Sequence, residues 1–162
     1  MPEVMITIII LGILAGIAIP SWFGIADSRA VDSAANQLTA DLRFAHTSST
    51  NQLTDWAVVT DPTSLVVGAP TGRDYYLVKI PTSGTIPLSN VMGRDLGEDD
   101  RAQIAASTPI SFRFKPDGSI RAVDNTALAS SVTITLHKSA ASVTNPRHDL
   151  EVNTATSRVL ID

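Results

Sequence analysis

The sequence predicts an α+β fold in which a long N-terminal α-helix packs on an antiparallel β-sheet head. Three observations predict it. The residues from Val4 to Ala26 include no charged side chain. The residues that follow, up to about position 53, place apolar side chains at helical spacing, and the rest of the chain alternates apolar and polar residues between turn signals. The predicted parts are an apolar helix (1–27), its amphipathic continuation (28–53) and a β head (54–162).

The composition of the chain disfavours some classes of function and excludes some kinds of site. A chain of 162 residues suits one domain with a hydrophobic core and an appendage. The net charge is −4, so the chain lacks the overall positive charge typical of proteins devoted to nucleic acid or anionic lipid. It contains no cysteine, which excludes disulfides, thiolate metal sites and cysteine nucleophiles. Its stability must therefore come from packing.

The apolar segment is long enough to cross a membrane. At about 1.5 Å per residue, a helix from Val4 to Ala26 would extend roughly 35 Å, and a bilayer has a hydrocarbon core of about 30 Å. A cleavable signal peptide needs a basic region before the apolar run, but here the leading charge is the carboxylate of Glu3. We expect a retained membrane-spanning helix. The alternative is a buried core helix, which the lack of a polar face disfavours.

Two features of this segment bear on helix packing. Gly12 and Gly16 form a Gly-x-x-x-Gly pair, which lets neighbouring helices approach closely in lipid. The alternative for this pair is an ordinary notch that faces lipid. Pro20 lacks the N–H that would bond to the carbonyl of Gly16, so a kink or a local loss of helix is expected there.

The amphipathic helix begins near Asp27, where charged residues first appear. No glycine or proline lies between Gly24 and Pro62, so the helix is predicted to continue to about residue 53. The residues predicted to face the core recur at spacings of three, four and seven or eight: Val31, Ala34, Leu38, Leu42, Ala45 and Leu53.

The head is predicted to contain two β-hairpins and further strands. Ile110–Lys115 and Ser119–Val123 flank a Pro-Asp-Gly turn, and Leu150–Val152 is followed by a turn-prone segment and then Arg158–Ile161. The segment Pro81–Ala106 is predicted to be irregular, because it is rich in Gly, Pro, Ser and acidic residues. The other predicted strands are Trp56–Thr60, Ser64–Val67, Tyr75–Ile80 and a strand containing Val132, Ile134 and Leu136.

The sequence predicts no catalytic residue, metal site or cofactor. Three histidines, His46, His137 and His148, lack ligand spacing, and no nucleophile elbow, phosphate-binding loop or His-Glu-x-x-His motif occurs. The acidic segment with Asp95 and residues 98–100 carries oxygen ligands suited to calcium, but its spacing is not that of an EF-hand. We interpret this segment as a solvated loop.

The first predicted hairpin carries three cations. Arg113, Lys115 and Arg121 should lie on one hairpin, where they could contact phosphate groups of DNA. The alternative is an ordinary solvated outer face of the sheet.

The residues MPEVMITIIILGILAGIAIPSW resemble the N-terminus of a mature type IV pilin or pseudopilin, in which an apolar helix carries an early glutamate and a later proline. Three segments of the remaining chain are similar to the GspH/FimT-like branch of that family, in which the helix is followed by β-hairpins: Asn36–Ala45, Ile110–Gly118 and Leu150–Val159. The cysteine-bridged C-terminal loop of many major pilins is absent.

The resemblance implies a non-enzymatic structural subunit of a type IV pilus or pilus-like filament. Such a subunit is a single-pass protein of the cytoplasmic membrane before assembly, is processed by the prepilin peptidase, and is extracted by the assembly machinery into a surface filament of related subunits. It implies assembly roles for Glu3, Gly12, Gly16 and Pro20, with Glu3 paired to the α-amino group, often methylated, of a neighbouring subunit. Filaments of this family serve adhesion, motility or secretion.

The resemblance also implies two alternatives. One is a DNA-binding minor pilin acting in DNA uptake, with Arg113, Lys115 and Arg121 as its contacts. The other is a pseudopilin of a type II secretion system.

Overall fold

The structure, a computed structural model, has an α+β fold with antiparallel sheets. It describes residues 2–96, 102–105, 109–128, 131–138, 147–153 and 158–161. Within these ranges it gives only the backbone at positions 2, 17–28, 138, 147–148 and 158–161.

Helix α1 is assigned to Pro2–Gln52, and its described side chains fall into two stretches, 3–16 and 29–52. The second stretch is amphipathic, as predicted, because Val31, Ala34, Leu38, Leu42 and Ala45 are all buried. The prediction for Leu53 is wrong. The helix ends one residue earlier, and Leu53 adopts a left-handed conformation (φ 51°) with its side chain 70% exposed.

In the described part of the chain, nine strands form two antiparallel sheets. In the first sheet the order is β3-β2-β1-β5-β6, and in the second it is β4-β7-β8-β9. The strands are β1 (Asp55–Val59), β2 (Tyr75–Ile80), β3 (Val91–Arg94), β4 (Ala102–Ile104), β5 (Ser111–Phe114), β6 (Ile120–Ala122), β7 (Ser131–Lys138), β8 (Arg147–Asn153) and β9 (Arg158–Ile161).

Both predicted hairpins are confirmed. Strands β5 and β6 pair with Phe112 opposite Ala122 and Phe114 opposite Ile120, and β8 pairs with β9. The first hairpin turns at Gly118, whose φ of +80° favours glycine because it has no Cβ. Asp117 stabilises the same turn, since its carboxylate accepts hydrogen bonds from the backbone and the hydroxyl of Ser119 at 2.8 and 2.6 Å.

The strand predicted at Ser64–Val67 is wrong. Pro62–Ser64 forms a 3-10 helix, and a turn follows it. Asp61 caps this helix by accepting a hydrogen bond from the backbone N–H of Thr63 at 2.9 Å. Proline at the first helical position fixes φ near the helical value, so local geometry overrides the apolar pattern of the residues that follow.

The prediction that Pro81–Ala106 is irregular is wrong: its described residues include two strands and a 3-10 helix, Leu88–Asn90. Strand β3 pairs along β2 with Met92 opposite Leu77, and β4 pairs along β7 with Ile104 opposite Leu136. These strands are short and contain Gly or Gln. Pairing with a neighbouring strand therefore determines their structure more than their own propensity does.

The core lies between α1 and the two sheets. Helix residues such as Leu38 and Leu42 join one buried cluster with Phe112 of the first sheet and Leu136 and Leu150 of the second. The opposite face of the first sheet is covered by a smaller cluster, which includes Ala57, Val59, Val66, Ala69, Tyr76 and Val78. The second stretch of α1 is thus held to the head by burial of apolar surface.

Candidate functional site

The first stretch of α1 exposes a continuous apolar surface. The large apolar side chains from Val4 to Leu14 are between 52% and 69% exposed: Val4, Met5, Ile6, Ile8, Ile9, Ile10, Leu11, Ile13 and Leu14. Because successive helical residues are 100° apart, these positions surround the helix. Most residues of this stretch are thus apolar and accessible on every side, in contrast to the amphipathic stretch 29–52.

The predicted assembly residues lie on or near this surface. Positions Gly12 and Gly16 face open space, since a Cβ built on either one would meet no atom within 4 Å. Glu3 is exposed, and its carboxylate has no ion-pair partner in the described part of the chain. Its backbone carbonyl accepts a hydrogen bond of 2.7 Å from the Thr7 hydroxyl. Pro20 lies in the stretch 17–28, outside the described side chains, so the break predicted there stays a prediction.

Within the described residues, no helix contains an apolar stretch of the length and hydropathy needed to cross a membrane. The segment for which a membrane span is predicted continues to Ala26, and the side chains at 17–28 are outside that description.

A polar network joins the second stretch of α1 to the first sheet. The Tyr75 hydroxyl donates a hydrogen bond of 2.7 Å to the carboxylate of Asp41 on the helix. The Nε atom of Arg94, at the end of β3, lies 3.5 Å from the same carboxylate. Burial and the neighbouring Asp41 carboxylate raise the pKa of Tyr75. The network therefore holds β2 and β3 against the helix through a tyrosine that stays neutral.

One turn of helix away, a second polar contact secures the chain after β3. The Gln37 side chain donates a hydrogen bond of 2.8 Å to the backbone carbonyl of Asp95, and Arg73 forms an ion pair with the Asp95 carboxylate. The backbone N–H of Leu96 donates to the Asp74 carboxylate at 2.7 Å. These contacts fix the beginning of the acidic segment, whose residues 98–100 lie outside the described residues.

The structure places the three predicted cations on one hairpin. Arg113 and Arg121 are register partners across β5 and β6, and Lys115 directly follows β5. Arg113 is not the solvated surface residue that the alternative interpretation assumed: its side chain is only 15% exposed, and its guanidinium lies 3.4 Å from the Asp55 carboxylate. One of the three cations is therefore already neutralised.

Two exposed carboxylates flank the hairpin cations. Asp117 and Asp124 each accept two hydrogen bonds from the residue two positions further on, Ser119 and Thr126. These hydrogen bonds lower the pKa of both carboxyl groups, and the nearby cations add a smaller effect. Both aspartates are therefore held in their own turns as anions.

Each histidine lies on a different element, and the strands that carry His137 and His148 pair with each other. His46 is on α1 with its ring 5.5 Å from that of Phe114, and His137 and His148 are on β7 and β8. Among the described residues, no group of three or more His, Cys, Asp or Glu side chains could hold a metal ion.

Sequence reasoning missed one cavity. A shallow cavity of about 270 Å³ lies at the end of β1 and the start of β2, and it is lined by Thr60, Asp61, Pro62, Thr63, Thr71, Gly72, Arg73 and Tyr76. Its polar groups are mostly engaged within the chain: Asp61 accepts hydrogen bonds from Thr63, and Tyr76 accepts one from the backbone of Arg73. No sequence motif marks this cavity, because two separate turns form it.

Comparison of the chain with protein-family models, with curated proteins and with solved structures found no match.

Proposed function

We propose that this protein is a structural subunit of a type IV pilus or pilus-like filament, and that it assembles through its N-terminal helix. The exposed apolar surface from Val4 to Leu14 carries the proposal. A helix that is apolar on every side must be surrounded on every side. Lipid would surround it before assembly, and helices of identical or related subunits would do so afterwards.

We propose that the two stretches of α1 have different roles, and the packing of the amphipathic stretch 29–52 supports this. Its apolar face is already occupied by the head, so it has no need of lipid. In the proposed subunit, the first stretch of α1 therefore makes the assembly contacts, and the second stretch carries the head. In this proposal α1 acts as one long helix of the type IV pilin fold, with the heads on the outside of a cell-surface filament.

The proposal includes maturation and transport. The subunit begins as a single-pass protein of the cytoplasmic membrane, is cut by a prepilin peptidase and is extracted by the pilus assembly machinery. The Glu3 carboxylate is exposed and has no ion-pair partner among the described residues. This supports the proposed order of events, because a charge next to apolar surface needs a partner once water is removed. A neighbouring subunit's α-amino group would be that partner.

Gly12 and Gly16 would supply the close contacts between helices. Lipid is as apolar as the helix, so association in a membrane or filament core depends on packing rather than on the hydrophobic effect. The open space at both glycines is available for a neighbouring backbone.

A pseudopilin of a type II secretion system would use the same helix, and the location of the filament distinguishes the two. A pilus subunit is recovered in filaments sheared from the cell surface, whereas a pseudopilin stays with the envelope. No described contact favours the DNA-binding minor pilin as the main function, because Asp55 neutralises Arg113 and two aspartates flank the other hairpin cations.

The proposal is tested by one charge placed on each stretch of α1. Ile9→Asp puts a carboxylate on the apolar surface, and Ala40→Asp puts the same group on the exposed face of the amphipathic stretch. In cells that make the protein, we expect Ile9→Asp to abolish filaments and membrane association. Ala40→Asp should leave membrane association intact and the head folded.

Filaments assembled from Ile9→Asp subunits in normal quantity would contradict the proposal. So would a full chain that stays monomeric in water without detergent.

A further inference from the structure

The cavity at the end of β1 and the start of β2 is lined by a buried hydroxyl group that uses only half of its hydrogen-bonding capacity. Tyr76, whose side chain lines the cavity, is only 1% exposed. Its hydroxyl oxygen accepts a hydrogen bond of 2.9 Å from the backbone N–H of Arg73, but the hydroxyl hydrogen has no acceptor among the described residues. A buried donor without an acceptor costs free energy. The Tyr76 hydroxyl therefore favours a ligand that brings an acceptor oxygen.

The same cavity presents oxygen atoms that can accept hydrogen bonds. Both hydrogen bonds that Asp61 receives from Thr63, at 2.9 and 2.6 Å, go to the same carboxylate oxygen, Oδ1. The Oδ2 atom accepts none from the described part of the chain. The Thr60 hydroxyl donates to the carbonyl of Ile110 at 3.1 Å, so its oxygen is still able to accept. A ligand in this cavity must therefore both donate and accept hydrogen bonds, as a hydroxyl group does.

The charge around the cavity disfavours anionic ligands. Hydrogen bonds from Thr63 lower the pKa of Asp61, so this exposed carboxyl group is ionised at neutral pH. The positive charge of Arg73 is already paired with the Asp95 carboxylate. The remaining negative charge repels a carboxylate or a phosphate, whereas an uncharged hydroxyl group can donate to it.

The size and the walls of the cavity suit one sugar ring. Its volume of about 270 Å³ lies just below the usual range for small-molecule sites, about 300–1,000 Å³. Pro62 and Tyr76 are both buried and add apolar surface beside the polar groups. A pyranose ring combines apolar C–H groups with hydroxyl groups that each donate one hydrogen bond and accept others.

We infer that this cavity is a binding site for one uncharged sugar ring. The Tyr76 hydroxyl donates to a sugar oxygen, and the Oδ2 atom of Asp61 accepts from a sugar hydroxyl. The inference is independent of filament assembly, because every residue that lines the cavity lies in the head.

The test titrates the methyl glycosides of glucose, galactose and mannose into the full chain, held in micelles of a detergent without a sugar headgroup. NMR follows the backbone amide signals of Gly72 and Arg73. We expect saturable shifts with at least one glycoside and a dissociation constant in the millimolar range. Tyr76→Phe should weaken binding about fivefold, which corresponds to the loss of one neutral hydrogen bond. Tyr75→Phe removes a buried hydroxyl outside the cavity, so it is the matched control and should bind normally.

A second pair of variants keeps the Tyr76 hydroxyl and its hydrogen bond from Arg73. Thr71→Trp places a large ring at the exposed rim of the cavity and should abolish the shifts. Val67→Trp adds the same ring at an exposed position that does not line the cavity, and it should leave binding unchanged. N-acetylneuraminic acid, an anionic sugar, should bind more weakly than the neutral glycosides.

Glycans that end in the preferred sugar form the last arm and identify the source of the ring. Competition by these glycans would assign the ligand to a glycan terminus, whereas competition by the methyl glycoside alone would assign it to a free sugar. The inference is overturned if no glycoside gives saturable shifts, or if Tyr76→Phe and Thr71→Trp bind as tightly as the unmodified chain.

Discussion

The hydroxyl of Tyr75 lies 2.7 Å from the carboxylate of Asp41 and donates a hydrogen bond to it. The two residues are 34 positions apart in the chain. Tyr75 is the first residue of β2, and Asp41 lies in the middle of the amphipathic stretch of α1, so the hydrogen bond joins this strand to the helix. Because Tyr75 is fully buried, water cannot readily replace Asp41 as the partner of its hydroxyl.

Replacing Tyr75 by Phe removes this hydrogen bond while it keeps the ring. We expect the free energy of unfolding to fall by about 1.5 to 3 kcal/mol, the usual range for a hydrogen bond to a charged group. Thermal or denaturant unfolding in micelles measures the change. Glu151→Gln, which changes an exposed carboxylate outside the network, is the control and should have a smaller effect.

The same pair predicts a dependence on alkaline pH. The pKa of Tyr75 is raised in the folded state by burial and by Asp41, so the unfolded chain loses this proton first, near pH 10. Above that pH the folded state binds more protons, and stability falls as pH rises. Tyr75→Phe lacks this contribution, so the stability difference between the two proteins should narrow above about pH 10. A difference that stays constant to higher pH would contradict the assigned shift.

Leu53→Gly should stabilise the protein. Leu53 has a positive φ of 51° at the end of α1, where a side chain costs about 1 kcal/mol, and its exposed side chain contributes little packing. We expect a gain of up to about 1 kcal/mol in the free energy of unfolding. Asn125 also has a positive φ (73°), but asparagine tolerates it, so Asn125→Gly is the control and should change stability less. A destabilised Leu53→Gly variant would show that the leucine side chain has packing of its own.

Gly93→Ala should weaken the contact between Arg73 and Asp95. An added Cβ would lie 2.7 Å from the Cγ atom of Arg73 and 3.2 Å from the buried ring of Tyr76. Crowding of this kind costs roughly 1 kcal/mol. If Arg73 is the obstacle, the cost should be smaller when Gly93→Ala is made in an Arg73→Ala background, and a double-mutant cycle of unfolding free energies measures this coupling. Additive effects would exclude Arg73 as the obstacle.

A truncated chain that begins at Ser28 should be soluble, folded and monomeric. It loses every exposed large apolar residue between Val4 and Leu14 and keeps the buried helix face from Val31 onward. Light scattering after size-exclusion chromatography and far-UV circular dichroism measure the outcome. The full chain, by contrast, should require detergent or a filament. Insolubility of the truncated chain, or its assembly into filaments unaided, would show that assembly does not reside in the first segment.

Glu3→Gln or Glu3→Ala should sharply reduce filament yield while the head stays folded and the membrane still takes up the subunit. The physical reason is that a carboxylate buried beside apolar surface needs an opposite charge, and the nearest basic residue in sequence, Arg29, lies beyond the whole apolar segment. Glu151→Gln, an exposed carboxylate of β8, is the matched control and should assemble normally. Normal filament quantities from Glu3→Ala cells would remove Glu3 from the mechanism.

Several local features could be predicted from the sequence. The burial of Leu38 and Leu42 follows from helical spacing, and the β5–β6 hairpin follows from alternation around Pro116-Asp117-Gly118. The Gly-x-x-x-Gly pair and the early Glu3 are also local patterns in the sequence, and their assembly roles stay predictions. These features depend on neighbours within a few residues, so a local pattern is enough to specify them.

The tertiary structure decided the rest. Strands β3 and β4 exist because β2 and β7 offer them partners, and the cavity exists because two turns meet. The sequence placed Arg113 on an outer face of the sheet, but only the fold brings Asp55 to its guanidinium. Tyr75 and Asp41 likewise meet only when the helix lies on the sheet. Such contacts join residues that are far apart in the chain. The spacing of residues along the chain does not indicate which distant group will form hydrogen bonds with a strand or will pair with a buried charge.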